Sequence, residues 1–110
     1  MKSYMIDEIS SADMEKVQSF LRRHALRSSL DRIFWIQIPD PLLSETQLEH
    51  RECRPHVFAV ELGDDWIRLE LFIRSLQNLG CSCIGYCNPE QLSFVVEFAQ
   101  DMVERMGIRT

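Results

Sequence analysis

Between Trp66 and Arg74 the chain alternates strictly: Ile67, Leu69, Leu71 and Ile73 are separated by Arg68, Glu70 and Phe72. A period of two over this length belongs to a strand with one face in an apolar interior; a helix would scatter the same four side chains around its axis. Upstream, Phe58, Val60 and Leu62 alternate with Val57, Ala59 and Glu61, and Gly63-Asp64 between the runs is a two-residue hairpin signal. Pairing Leu62 with Asp65 sets Val60 opposite Ile67 and Phe58 opposite Leu69, so the oily faces coincide. A slip of one residue would bury Glu61 and Arg68 instead.

A third strand is expected before Tyr86. With Gln77-Asn78 as the loop centre, Leu71 faces Ile84 and Leu69 faces Tyr86, and Cys81, Cys83 and Gly85 share the side of Glu70, Phe72 and Arg74. A loop one residue longer turns the two thiols inward, where a reduced cysteine packs as a small hydrophobe.

The flanking segments read as helices and one more strand. Met5 to Ile9 is a short lead-in, coil or edge strand. Ser10 or Ser11 caps a helix running to about Leu26, with Met14, Val17, Leu21 and Ala25 as its stripe. Ile33 to Ile38 is β-branched and aromatic, with Phe34, Ile36 and Ile38 on one face and Ile33, Trp35 and Gln37 on the other. Ser44 and Gln47 form a capping box opening a short helix from Glu45 to about Glu52. Asn88-Pro89-Glu90-Gln91 opens the last helix, whose apolar stripe ends at Gly107, placed as its C-terminal cap.

The expected architecture is a single α+β domain over residues 1–110. It is a two-layer sandwich in the order α-β-α-β-β-β-α, with an antiparallel sheet of about four strands, two long helices and one short one. A length of 110 residues suits one core, and 45% hydrophobic with 26% charged content is ordinary for a globular chain. The net charge of −5 argues against nucleic acid as a partner. The acidic N-terminal stretch has neither the apolar run of a membrane span nor the pattern of a secretory signal, so a cytoplasmic location is expected. There the four cysteines are free thiols or ligands rather than disulfides.

Two chemistries compete for the remaining polar residues. The sheet face turned from the helices carries Trp35, Trp66 and Phe72 with Arg68 and Arg74, too apolar for water and too charged for a core. Trp and Arg are enriched at the energetic centres of interfaces, so this face is expected to meet another protein, most simply a second copy in a homodimer. That makes the chain a non-catalytic interaction or regulatory module needing no cofactor. The alternative is a zinc-binding domain, because His50, Cys53 and His56 fall in one short segment and Cys81, Cys83 and Cys87 in another. A cysteine nucleophile is the enzymatic version of the same cluster. Its only support is the helix start after Cys87, whose dipole favours a thiolate. Phosphate-cradling glycine loops are missing from the sequence.

Overall fold

A computed structural model describes residues 2–109. Seven strands, β1 (Ser3–Ile6), β2 (Leu26–Arg27), β3 (Ile33–Gln37), β4 (His56–Leu62), β5 (Ile67–Glu70), β6 (Phe72–Ser75) and β7 (Gly85–Tyr86), alternate with three helices, α1 (Ser11–His24), α2 (Glu45–Glu49) and α3 (Pro89–Met106). Single 3-10 turns lie at Asp40–Leu42 and Arg51–Cys53. All strand pairs are antiparallel, in the order β1-β5-β4-β3-β2, with β6 also on β4 and β7 on β6. The α+β class stands, but among the described residues the sheet has seven strands rather than about four. The extra ones are short: the lead-in is an edge strand, and the end of the first expected helix is itself a strand. Ala25 turns extended after His24, so Leu26 and Arg27 pair with Trp35 and Phe34.

The hairpin register differs from the expected one by two residues. Leu62 pairs with Ile67, Glu61 with Arg68 and Val60 with Leu69, leaving Gly63 to Trp66 as the turn. The Gly63 N–H donates to the Trp66 carbonyl at 2.8 Å. A Cβ on Gly63 would stand 2.0 Å from the Trp66 indole, so the ring lies flat over a position only glycine can hold. A slip of two residues keeps every side chain on its face, which is why hydrophobic pattern alone does not choose between the two registers.

The long alternating strand is broken at Leu71. From Val57 to Val60 β4 advances three residues while its partner advances five, from Leu69 to Arg74. The surplus is even, so Leu69 and Ile73 both stay fully buried on the same side of this bulge. Leu71 also marks a handover on the outer edge: its N–H donates to Lys2 of the β1 segment, and its carbonyl accepts from Cys87 just past β7. The expected third strand is reduced to Gly85–Tyr86, with Phe72 opposite Tyr86 and Ile73 opposite Gly85. Residues 76–84 are a turn-rich connection, and Cys81 and Cys83 lie in it, so neither expected strand register applies.

The interior forms where α1 and α3 meet one face of the sheet. Met14, Val17 and Leu21 of α1 and Val95, Ala99 and Met102 of α3 join Phe34, Ile36, Phe58, Val60, Leu69 and Ile73 in one buried cluster. Phe58 presents its ring edge-on to Phe94 and Phe98, with centroids 6.3 and 5.8 Å away. These offset contacts are the geometry that aromatic quadrupoles favour.

The helix starts are those the sequence marks. Ser10 Oγ accepts from the Asp13 N–H at 3.1 Å. Ser44 with Gln47 and Asn88 with Gln91 both close capping boxes. These two boxes are joined. Gln91 Nε2 donates to Gln47 Oε1 at 2.8 Å and to the Leu42 carbonyl at 2.9 Å, while Gln47 Nε2 donates to the Cys83 carbonyl at 3.2 Å. Gln47 and Gln91 are 4% and 1% exposed, so this amide relay is a buried polar seam between two helix starts and the 76–84 connection. α2 leaves helical geometry at His50, earlier than the expected Glu52, and gives way to the 3-10 turn. Gly107 ends α3 in the left-handed conformation, φ 65°, as its position in the sequence demands. Among the described residues no helix is long and apolar enough to cross a membrane.

Candidate functional site: an open sheet face and a thiol cluster

Register places the polar side of the sheet in rows. Ile33, Glu61, Arg68 and Met5 lie abreast; beside them run Leu26, Trp35 and Ala59, then Gln37, Val57 and Arg74, and on the outer edge Phe72 and Tyr86. The five expected interface residues, Trp35, Trp66, Arg68, Phe72 and Arg74, are all half-buried. Trp66 departs from expectation in standing on the turn rather than in the strand, where the Arg68 guanidinium covers its ring at 5.5 Å.

The charges on this face are satisfied locally. Arg68 pairs with Glu61, its direct cross-strand neighbour, and Arg74 donates to both Glu70 oxygens at 3.0 and 3.2 Å while lying 5.0 Å from the Phe72 ring. Phe72 and Tyr86 meet edge-to-face at 5.2 Å, with Lys2 over Tyr86 at 5.6 Å. Because Glu61, Arg68, Glu70 and Arg74 cancel, the chain's net −5 is carried by residues outside this quartet. Three side chains belong to the face that sequence reading left out: Met5, Leu26 and Tyr86, 49%, 41% and 55% exposed. Met5 sits opposite Arg68 and Leu26 opposite Trp35. Their strands are too short to carry a period, so no pattern marks them.

The second constellation is made by two segments distant in sequence. The 3-10 turn after α2 brings Cys53 to the 76–84 connection, and the ligand atoms of Cys53, Cys81 and Cys83 all lie within 4.8 Å of one another. The four cysteines are free thiols. Cys53 and Cys83 are buried, and Cys81 is half-exposed with the Cys83 N–H donating to its sulfur at 3.4 Å. His56, 2% exposed, turns Nε2 to the Cys83 sulfur at 3.4 Å, and its buried Nδ1 has no hydrogen-bond partner.

Burial and mutual contact set the ionisation of the trio. Loss of water pushes the Cys83 thiol up to about 12, with its two thiol neighbours adding to the effect, and it raises Cys53 in the same way. Cys81 goes down, chiefly because the Cys83 N–H supports its thiolate. Burial lowers the His56 pKa, with Arg54 and His50 acting in the same direction.

The other two expected ligands do not join the trio. His50 holds the Thr46 carbonyl through Nδ1, a contact that raises its pKa. Cys87 lies against the hydrophobic core, and burial pushes its thiol up to about 11. At Cys87, then, burial outweighs any support that the start of α3 gives a thiolate. No protein-family model matches the chain, and neither a curated protein nor a solved structure matches it.

Proposed function

We propose that the chain is a two-layer, non-catalytic α+β interaction domain whose open sheet face meets the same face of a second copy. The observation that carries this reading is the set of apolar side chains exposed at the margins of a face whose paired charges cancel, around a centre where Val57 and Ala59 are already buried. Met5, Leu26 and Tyr86 are 41–55% exposed around half-buried Trp35 and Phe72. The Glu61, Arg68, Glu70 and Arg74 quartet offers a strongly basic or acidic partner no net charge. A second copy brings a surface with the same paired charges.

Five strands abreast at about 4.8 Å give a face about 20 Å wide. A reducing, cytoplasmic setting accompanies this reading, since the four cysteines are free.

Sedimentation over a concentration series tests it. The expected result is a mass that climbs from one chain to two, and Met5→Glu or Tyr86→Glu holds the protein at one chain with its circular dichroism unchanged, because both side chains already face solvent within the protomer. A monomer throughout the series, or dimers unaffected by both changes, overturns the proposal.

A further inference from the structure

Cys53, Cys81, Cys83 and His56 have no part in the sheet-face reading, yet all four favour soft metals: the three sulfurs lie within 4.8 Å of one another and His56 Nε2 stands 3.4 Å from the Cys83 sulfur. Three ordinary explanations are available, and each leaves something over. A disulfide joins two sulfurs and strands the third, while these thiols are free. Packing as small hydrophobes describes Cys87 and accounts for the burial of Cys53 and Cys83, 1% and 4% exposed, but not for half-exposed Cys81 drawn to within 4.8 Å of both. A thiol-histidine hydrogen bond accounts for Cys83 and His56 alone and leaves Cys53 and Cys81 unexplained.

We infer that Cys53, Cys81, Cys83 and His56 form a structural site for a tetrahedral, thiophilic divalent cation of the zinc class. Sulfur and imidazole donors select zinc-like ions and reject calcium and magnesium, which require oxygen ligands. Four protein donors leave no open coordination position, which distinguishes a structural site from a catalytic one. On binding, the three thiols release their protons to solvent and three sulfur–metal bonds form beside one from an imidazole nitrogen, so the centre carries one negative charge. The Cys83 N–H aimed at the Cys81 sulfur is placed to stabilise that charge. Nε2 is the His56 ring nitrogen that faces the Cys83 sulfur, at 3.4 Å, so it is the one that would coordinate, with the ring proton on Nδ1.

The site would clip the 76–84 connection, where Leu79 is 80% exposed, to the 3-10 turn some thirty residues earlier in the chain. Backbone order there otherwise rests on a few turn hydrogen bonds and the Gln47 contact to Cys83.

The test uses the full chain, reduced and stripped of metal, titrated with Zn²⁺ and separately with Co²⁺. Expected are one equivalent bound, intense thiolate-to-cobalt absorption with the visible bands of a tetrahedral ion, and a rise in melting temperature of about 10 °C at hundredfold excess over Kd. Cys81→Ser, chosen because Cys81 is half-exposed and tolerates a polar replacement, weakens binding at least about a hundredfold while circular dichroism stays native. Cys87→Ser and His50→Ala stay within about threefold of wild type, since neither residue belongs to the set. Less than about a tenth of an equivalent bound by the wild-type chain overturns the inference. So does a six-coordinate cobalt spectrum, an unaffected Cys81→Ser protein, or a loss on His50→Ala as large as that on Cys81→Ser.

Discussion

Replacing Gln91 by Leu tests whether the buried amide relay holds the two helix starts together. The change preserves side-chain bulk, so it opens little cavity, but it removes three hydrogen bonds. Two are donated by Nε2, to Leu42 at 2.9 Å and to Gln47 at 2.8 Å, and one is accepted by Oε1 from the Asn88 N–H at 3.1 Å. At about 1 kcal/mol net for each, the loss is about 3 kcal/mol. For 110 residues the unfolding entropy is about 0.23 kcal/mol/K, so the melting temperature falls by about 13 °C.

Thermal unfolding followed by circular dichroism reads this directly. Gln100→Leu, on the exposed side of the same helix, serves as the control and shifts it by about 2 °C or less. Gln47→Leu also destabilises, and the double variant loses about 1 kcal/mol less than the sum of the singles because one bond is shared. A Gln91→Leu protein melting within about 3 °C of wild type, or strictly additive singles, would refute the coupling.

Further outcomes follow from other parts of the fold. Gly63→Ala drives the Trp66 ring from its seat, since the added methyl overlaps the indole. Tryptophan emission shifts red, and self-association weakens as the face loses one of its aromatic anchors; an unchanged spectrum would contradict the turn geometry. Glu61→Gln removes one side of the partly exposed pair with Arg68 and costs about 0.5 kcal/mol in chemical denaturation, with a loss above about 2 kcal/mol contradicting a surface pair.

Cys87 has a folded pKa pushed above its ordinary 9.0 to about 11, so the native state disfavours its thiolate. Its contribution is complete below pH 9.0 and is lost as the pH climbs toward about 11. Stability therefore declines over that window, and Cys87→Ser shows a shallower decline; parallel pH profiles for the two proteins would refute the assignment.

The elements carrying their own local signals were legible from residues alone. The capping residues Ser10, Ser44 and Asn88, and Gly107, each specify a conformation through chemistry within a few positions and are found where expected, while the period-two run Ile67–Ile73 is extended but interrupted at Leu71. What failed depends on contacts between distant segments. The hairpin is two residues out because face patterning repeats every two residues, and the close approach of the Trp66 ring to Gly63 in the observed turn is not legible in that pattern. Strands β1, β2 and β7 exist because β5, β3 and β6 offer them an edge, not because Ser3, Leu26 or Gly85 has a strong strand preference.

The cysteine and histidine clustering was visible, but the gathering of Cys53, Cys81 and Cys83, with His56 against Cys83 and with Cys87 and His50 apart, was not. It is decided by where the 3-10 turn comes to rest beside the 76–84 connection. Likewise both capping-box glutamines could be found in the sequence, and nothing in either box says that they bond to each other.

The sheet-face proposal is tested most directly by mixing isotope-labelled and unlabelled chains and recording only the NMR contacts that cross between them. The account predicts cross-chain contacts from the Met5 methyl, the Trp35 ring and the Tyr86 ring to one another. Cross-chain contacts confined to the outer side of α3 around Leu92, or none at a concentration where the wild-type mass is that of two chains, would contradict it.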